Sequence, residues 1–229
     1  MTKKQSDTAV VAGATGLVGQ QLVKLLLNHP AYSRVIVFVR RDLGISHPKL
    51  IQRIISYDRF EEELDEATMK NAHVFCALGT TIRQAGSLEA FRQVDYTYPL
   101  VLGKQAKRYS ADKLVIVTAM GSSAQSKLFY NRVKGELERD LMALDLPKLI
   151  ILRPSFMLGN RKEKRLGERA GIIAFQLLRP LMIGSLSQYK AVQSSDVAQV
   201  MVDAARRNTS KLVIIESYDI TRTANRPNA

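Results

Sequence analysis

The sequence predicts an α/β protein built on a doubly wound parallel sheet. Short apolar runs rich in β-branched residues alternate with helical patterns along the chain, and a glycine-rich turn directly follows the first run. Neither an internal repeat nor a Pro/Gly/Ser-rich linker interrupts this alternation. Strands that are joined by helical crossovers form parallel sheets, and 229 residues suit one domain. We therefore expect a single domain over residues 1–229.

Six strands are predicted from the apolar runs. Their residues are 8–14, 33–40, 53–58, 73–80, 113–120 and 148–154. The second run, "SRVIVFVR", is continuously apolar at its centre, which is typical of a strand buried on both faces of a parallel sheet. Leucines at helical spacing predict a first helix after the glycine-rich turn, and longer helical patterns predict helices at about 88–109 and 126–144.

The last third of the chain, from about residue 155 to 229, is less regular. It contains an apolar segment near 172–182, a helix that begins near Ser195, a final strand at about 211–217 and a tail after Ile220 that we expect to be frayed. The apolar segment predicts a buried helix, with a membrane-surface helix as the alternative. Ligands of doubly wound sheets bind beyond the carboxyl ends of the strands, and we expect this third to cap that end on the substrate side.

The basic charge balance restricts the classes of partner. The net charge is +13, from 34 basic and 21 acidic residues, and the densest basic cluster covers residues 160–169. Such a balance suits nucleic acid, an anionic membrane or a phosphate-rich ligand. No aromatic side chain interleaves with the cluster and no nucleic-acid-binding module is visible, so a solvated basic loop is favoured. Nucleic-acid binding through residues 161–169 stays open as the less favoured alternative.

Cysteine, histidine and hydropathy patterns exclude further classes. The single cysteine, Cys76, forms no internal disulfide and falls in an apolar run, where we expect a buried thiol. His29, His47 and His73 share no ligand spacing, so we expect no metal site. The chain has no run of eighteen apolar residues and no secretory signal at its start. We therefore expect no membrane span and a cytoplasmic location.

The glycine-rich turn has the features of a phosphate-binding loop. Gly13, Gly16 and Gly19 follow the first strand and open a helix, although their spacing departs from the usual Gly-x-Gly-x-x-Gly form. In such loops the glycines allow a tight turn, close approach of the backbone to a pyrophosphate and close packing of helix on strand. We predict dinucleotide binding and a Rossmann-type fold. The neighbouring residues that we expect to contact the nucleotide are Thr15, Leu17 and Val18.

The end of the second strand indicates which dinucleotide is bound. An NAD-binding protein usually carries an acidic residue about twenty residues beyond the loop, where it holds the ribose 2′-hydroxyl. Here the sequence has Arg40 and Arg41. A guanidinium at this place attracts a 2′-phosphate, so NADPH is favoured over NADH, although Asp42 lies close by. Asp58 is a candidate acceptor for the adenine amino group, and an ordinary exposed strand-end carboxylate is the alternative.

A tyrosine and a lysine stand four residues apart in the second long helix. Tyr130 and Lys134 therefore lie on one face of that helix. A free tyrosine is mostly protonated at neutral pH, and a neighbouring ammonium favours its phenolate. Such a pair can pass a proton to or from a carbonyl oxygen. By spacing alone the pair is more often two surface residues, but its place after the fifth strand of a dinucleotide fold favours catalysis.

These residues together resemble the short-chain dehydrogenase/reductase superfamily, and within it the atypical branch around the Tat-interacting tumour-suppressor oxidoreductase. The segments that carry the resemblance are "GATGLVG", "FVRR", "FCALGTTIRQAGSLEAFRQVDYTYPLVLGKQAK", "FYNRVKGELE" and "ILRPSFMLGNRKEKR". They span about residues 9–165. Beyond them, "AVQSSDVAQVM" is similar to extended relatives.

The resemblance implies a role for individual residues. Tyr130 would be the catalytic acid, and Lys134 would be its partner and would hold the nicotinamide ribose. The dipeptide Arg153-Pro154 would begin the loop beside the nicotinamide, with a plain strand terminator as the alternative. The further residues that the resemblance places at the cofactor are Leu78, Gly79, Thr80, Pro154, Met157 and Arg165.

Two features of the sequence depart from the better-known reductases. The superfamily uses a Ser or Thr hydroxyl at the end of strand five to bind the substrate carbonyl. Here "VTAMGSS" offers Thr118, whose distance from Tyr130 fits the branch, with Ser122 as the alternative and Ser123 less favoured. Each of these hydroxyls could instead cap a turn. The Asn-Ala-Gly that usually follows strand four is absent.

Two classes of function follow from this sequence. The first is an NADPH-binding oxidoreductase that reduces a small carbonyl substrate by hydride transfer, with Tyr130 protonating the oxygen and Thr118 orienting it. The second is a non-catalytic redox sensor whose nucleotide occupancy controls a protein partner, and the missing Asn favours it. The sequence does not decide between a monomer and a homodimer.

Overall fold

A seven-stranded parallel sheet forms the centre of the molecule in a computed structural model that describes residues 7–158, 191–207 and 210–224. The strands are β1 Asp7–Ala12, β2 Tyr32–Val39, β3 Leu50–Ile54, β4 His73–Cys76, β5 Lys113–Val117 and β6 Leu149–Arg153, together with the later β9 Leu212–Glu216. Their spatial order is β3-β2-β1-β4-β5-β6-β9, and every neighbouring pair is parallel. The winding reverses between β1 and β4, which confirms the predicted doubly wound, Rossmann-type fold. Ligands of such sheets bind at this reversal.

Helices cover both faces of the sheet. They are α1 Leu17–Asn28, α2 Phe60–Glu63, α3 Glu66–Met69, α4 Ile82–Ala85, α5 Leu88–Arg92, α6 Tyr98–Arg108, α7 Phe129–Ala143, α8 Ser194–Arg206 and α9 Ser217–Ala224. Helices α1 and α8 bury their apolar sides on one face of the sheet, and α6 and α7 bury theirs on the other. Alternate strand residues supply the two cores: Val11 lies in the first and Val10 in the second.

The predicted helix at 88–109 is continuous but not uniform. A π-helical turn, Gln93–Thr97, joins α5 to α6. Such wider turns inside a helix are rare and often fall at functional sites. This one brings Asp95, a fully buried acidic residue, to the sheet's ligand-binding end.

The third strand and the tail of the chain differ most from the sequence-based expectation. The third strand was expected at 53–58 but is β3, Leu50–Ile54, because this edge strand is only partly buried and its apolar pattern is weak. Tyr57 instead begins a 3₁₀ turn. The expectation of a frayed tail after Ile220 is wrong as far as residue 224, since the fully buried Ile220 anchors α9.

The described part of the last third completes the sheet. Helix α8 packs beside α1, β9 forms the sheet edge beside β6, and a small separate pair joins β7 (Met157–Leu158) to β8 (Val192–Gln193). The predicted apolar helix near 172–182, the basic cluster at 160–169 and Arg165 lie outside the described residues. Within the described ranges, the helices are too short or too polar to cross a bilayer.

Candidate functional site

The loop after β1 is shaped by two glycines that no other residue could replace without a shift of the backbone. Gly13 has a φ of +92°, and a Cβ there would lie 2.4 Å from the carbonyl carbon of Ala77. A Cβ at Gly19 would lie 2.0 Å from the carbonyl oxygen of Gly13. Gly16 is the N-cap residue of α1 and no side chain caps this helix, so its first amides are open to an anion. The loop therefore fits a diphosphate.

A continuous groove runs from this loop across the carboxyl end of the sheet. One part has a volume of about 690 Å³ and the other about 580 Å³. The two parts share Gly16, Leu17 and the loop after β4. Their sizes fall within the usual range of ligand sites. The predicted residues that line the groove are Gly13, Thr15, Gly16, Leu17, Val18, Arg40, Leu78, Gly79, Thr80, Thr118, Tyr130, Lys134, Pro154 and Met157.

The end of the groove beside β2 has one charged side chain. Among the described residues that line it, Arg40 carries that charge, and the phenol ring of Tyr57 lies beside the same space. Arg41 is exposed and does not line the groove. The carboxylate of Asp42 accepts from the backbone N–H of Gly44 at 2.5 Å, so it closes its own turn. This end of the groove therefore favours an anionic ligand group.

Besides Arg41, two predicted cofactor residues do not line the groove. Asp58 is exposed, and the hydroxyl of Ser56 donates to its carboxylate at 3.3 Å. Tyr57 takes the place beside the groove that was expected for Asp58. Gly19 does not line the groove but supports it, because its missing side chain lets α1 approach Gly13.

A buried ion pair lies at the centre of the groove. Lys134 Nζ is 2.8 Å from Asp95 Oδ1, and both side chains are almost fully buried. The second carboxylate oxygen of Asp95 accepts from the backbone N–H of Thr80 at 2.8 Å. Burial lowers the pKa of Lys134, but the nearby Asp95 carboxylate and Tyr130 raise it by more, so the net shift is upward. The ammonium is therefore retained at the groove.

Tyr130 lies one turn before Lys134 on α7 and lines the same groove. Its ring packs against Phe91, with ring centroids 5.5 Å apart. The loop after β5 approaches α7 so closely that a Cβ at Gly135 would lie 2.1 Å from the carbonyl carbon of Ser123. Asn131 secures the same loop by donating to the carbonyl of Gly121 at 2.9 Å. Helix α7 thus holds Tyr130 and the strand-five loop in a fixed relation.

The two candidate hydroxyls at the end of β5 already have acceptors within the protein. Thr118 Oγ1 lines the groove and donates to Glu138 Oε1 at 2.5 Å. Arg153 contacts the same carboxylate through Nε and Nη2 and reaches Glu216 with Nη1 at 2.9 Å. These carboxylates, Glu138 foremost, raise the pKa of Arg153 although burial lowers it. Ser122 does not line the groove.

The Ser122 hydroxyl donates to the carbonyl of Ala119 at 2.7 Å. In this arrangement the hydroxyl protons of Ser122 and Thr118 are both donated to acceptors within the protein, so neither is available to a substrate. The thiol of Cys76 is fully buried, as expected, and burial raises its pKa to about 11.

Asp95, Glu138 and Tyr57 were not among the predicted site residues. A signal for the first two exists in the sequence, since each acidic residue stands on the apolar face of a predicted helix. Asp95 is four residues after the buried Phe91, and Glu138 is three residues before the buried Leu141. A buried carboxylate needs a charged or hydrogen-bonding partner. Asp95 pairs with Lys134, and Glu138 pairs with Arg153.

The fold and the groove together define a Rossmann-type protein. The chain belongs to the HIM1 family, whose model matches residues 49–183. It is 33% identical over 224 residues to the Candida albicans protein named "Protein FMP52, mitochondrial", covering 94% of this chain and 97% of that protein. The protein of the same name from Saccharomyces cerevisiae is 33% identical over 157 residues, 68% of each chain.

Solved structures share the fold at low sequence identity. The UDP-N-acetylglucosamine 4-epimerase of Methanobrevibacter ruminantium, solved with UDP-N-acetylmuramic acid, has a TM-score of 0.68 at 15% identity, covering 93% of this chain and 77% of that one. The Bordetella bronchiseptica enzyme WbmG, solved with NAD, has a TM-score of 0.65 at 13% identity, covering 98% of this chain and 78% of that one. These similarities support the fold assignment.

The expected cytoplasmic location is wrong. The related FMP52 proteins from several yeasts are named as mitochondrial. The expectation rested on one cysteine and on the lack of a secretory signal. Those observations do not separate the cytosol from the inside of another organelle.

Proposed function

We propose that this chain binds a nicotinamide dinucleotide and reduces a small carbonyl compound, with Tyr130 as the proton donor. The observation that carries the proposal is the single groove that joins the Gly13 loop to Tyr130 and Lys134. The glycine cradle fits a diphosphate, and the solved neighbour WbmG binds NAD. The role of Tyr130 rests on the resemblance to the Tat-interacting tumour-suppressor branch. The names of the related proteins favour a mitochondrial location.

NADPH is the favoured nucleotide because of the charge at the β2 end of the groove. Arg40 lies there, while the Asp42 carboxylate is engaged by Gly44 and lies off the groove. A guanidinium stabilises a phosphate by charge-assisted hydrogen bonds, whereas a ribose hydroxyl is held better by a carboxylate. The argument supports a preference for the phosphorylated ribose.

Different residues along the groove have different roles in the proposed reaction. If a reduced nicotinamide is bound in the groove, it would supply the hydride. The phenol of Tyr130 holds the proton for the substrate oxygen, and the Lys134 ammonium stabilises negative charge beside it. Met120, Phe156 and Met157 line the same part of the groove as Tyr130. These apolar side chains suit an uncharged organic carbonyl and exclude water from it.

The test replaces Tyr130 by Phe, which removes the phenolic proton and keeps the ring against Phe91. We expect turnover of aldehydes, ketones or quinones to fall by about 10²–10⁴-fold. Nucleotide affinity should change little, because the cradle and Arg40 are untouched. Tyr96→Phe is the matched control, since its hydroxyl contacts Asp140 and lies off the groove. An unchanged rate in Tyr130→Phe would remove this residue from the mechanism.

A nucleotide-dependent sensor is the second candidate function. It is favoured by the two hydroxyls at the end of β5, since Thr118 donates to Glu138 and Ser122 donates to Ala119. Neither is set to bind a substrate carbonyl. A protein partner would then respond to the occupied groove. Saturable nucleotide binding without turnover across a broad carbonyl panel would favour this candidate over the reductase.

A further inference from the structure

The buried carboxylate of Asp95 contacts two segments that line the groove, helix α7 and the loop after β4. Asp95 is 1% exposed and Lys134 is 2% exposed. Asp95 Oδ1 lies 2.8 Å from Lys134 Nζ on α7, and Oδ2 accepts from the backbone N–H of Thr80 at 2.8 Å. Thr80 belongs to the loop after β4 that lines the groove. Asp95 therefore links this loop to the helix that carries Tyr130.

The local backbone places Asp95 at this junction. It lies in the π-helical turn Gln93–Thr97. Contacts on both sides fix this turn to α7: Arg92 pairs with Glu136 at 2.6 Å, and the Tyr96 hydroxyl donates to Asp140 at 2.7 Å. These outer pairs are partly exposed, and exposed pairs contribute little to stability. The Asp95–Lys134 pair is the buried one.

The surroundings of Lys134 make its counter-charge important. Among the residues that the structure describes, the titratable groups that face it are Asp95 from the π turn, Tyr130 on its own helix and Cys76 at the end of β4. Burial of an ammonium without a partner favours the neutral amine. The only one of these groups that is ionised at neutral pH in its usual state is the carboxylate.

We propose that Asp95 is a positioning residue whose carboxylate fixes the Lys134 ammonium at the groove and ties Thr80 to the same helix. The proposal rests on the proposed function in that the groove is taken to bind a nucleotide. It assigns the contact between the strand-four loop and α7 to a carboxylate, at a place where the sequence lacks the Asn of the better-known reductases.

The test replaces Asp95 by Asn, which keeps the size and can still accept from Thr80 but removes the charge. Lys134 in the wild type has a folded pKa above its usual 10.5, so its stabilising contribution is complete below that pH and is lost only above it. Without Asp95, burial lowers the folded pKa below the unfolded value. The unfolded chain then binds more protons, so stability must rise with pH.

The first readout is the denaturant midpoint of the nucleotide-free protein between pH 7 and pH 10. We expect an upward slope in Asp95→Asn that the wild type does not have. Asp140→Asn should behave as the wild type, because Asp140 joins the same segments without contacting Lys134. The double variant Asp95→Asn/Lys134→Met should lose the slope, since the titrating amine is gone.

The second readout is nucleotide affinity over the same pH range. Relative to the wild type, Asp95→Asn should lose about tenfold in affinity from the lower to the higher pH as the amine loses its charge. Equal pH profiles for Asp95→Asn and the wild type in both readouts would overturn the proposal. If the wild type binds no nucleotide, the proposed function is wrong. The dependence of the denaturant midpoint on pH would still test the role of the ion pair.

Folding of the variants also tests the proposal. If Asp95→Asn fails to fold, a folded Asp95→Asn/Lys134→Met supports it, because the defect then comes from the unpaired ammonium. A double variant that is as unfolded as the single one would contradict it.

Discussion

Arg40 is the residue on which nucleotide choice depends in this account. It is the charged side chain among the described residues at the β2 end of the groove, whereas its neighbour Arg41 is exposed and does not line that space. The sequence showed both arginines but could not tell which of them lines the groove, because both follow the end of β2, where the chain bends and strand alternation no longer applies. Only the packed loop makes the distinction.

Replacing Arg40 by Ala should lower NADPH affinity by about 10–100-fold, the value of a hydrogen bond to a charged group. NADH affinity should change by less than about twofold, because NADH lacks the 2′-phosphate that the guanidinium would hold. Arg41→Ala serves as the control with the same change in net charge. Fluorescence titration of the wild type, Arg40→Ala and Arg41→Ala with NADPH and with NADH measures these affinities. Equal losses in Arg40→Ala for both nucleotides would refute the assignment.

Sequence reasoning missed the residues whose contact partners lie far away in the sequence. The Tyr130–Lys134 pair was found because four residues separate its members, whereas the Asp95–Lys134 pair links two different helices. Likewise, Thr118 was found by its spacing from Tyr130, but its acceptor Glu138 was not. Local spacing predicts which side chains share a face. It does not predict which groups meet across the fold.

At the scale of elements, the sequence predicted long and fully buried segments best. Strands β1, β2, β5 and β6 are continuous apolar runs because helices cover both of their faces. The edge strand β3 was misplaced because half of it faces solvent. Helices α3 and α4, of four residues each, are too short for a periodic signal, and Asp65 and Thr81 cap them.

The contact between α7 and the strand-five loop gives a prediction at this scale. Alanine in place of glycine normally stabilises a helix by about 0.5–1 kcal/mol. At Gly135 the new Cβ would lie 2.1 Å from backbone carbon of Ser123, so the loop must move away. We expect Gly135→Ala to destabilise the fold by about 1–3 kcal/mol and to weaken nucleotide binding.

Gly103 on α6 provides the matched control for this prediction. A Cβ there would lie 2.4 Å from Cδ2 of Leu141, the end of a side chain that can rotate away. Gly103→Ala should therefore cost less than Gly135→Ala, as measured by urea unfolding. The account of the α7 contact fails if Gly135→Ala is the more stable of the two variants.

At the scale of the whole molecule, the opposite end of the sheet carries a second buried polar group. His73, at the start of β4, is 4% exposed, and its Nδ1 lies 2.9 Å from the Tyr32 hydroxyl. Its Nε2 lies 3.3 Å from Asp112 Oδ2. Burial and the neighbouring Lys113 lower the pKa of His73 to about 4, although Asp112 opposes them.

This pKa predicts how stability depends on pH. Between about pH 6.5 and pH 4 the unfolded chain protonates His73 while the folded chain keeps it neutral. The unfolded state then binds more protons, so the free energy of unfolding falls as the pH is lowered through this range. In His73→Gln the free energy of unfolding should fall less over this pH range, by on the order of 1–3 kcal/mol, than it falls in the wild type. His29→Gln is the control.

Urea unfolding at several pH values between pH 4 and pH 7 gives the measurement. The decline should be shallower in His73→Gln than in the wild type and His29→Gln. The same slope in all three proteins would show that His73 titrates alike in the folded and unfolded states. The Asp112 carboxylate titrates below this range, because its ion pair with Lys113 lowers its pKa despite burial.

Nucleotide binding is the central claim, and direct titration of the purified chain of residues 1–229 tests it. NADPH, NADP⁺, NADH and NAD⁺ would each be added while protein fluorescence and thermal stability are followed. The groove between Gly13 and Tyr130 predicts saturable binding, tightest for the two phosphorylated nucleotides. The absence of any saturable signal with all four nucleotides, on protein shown to be folded, would contradict it.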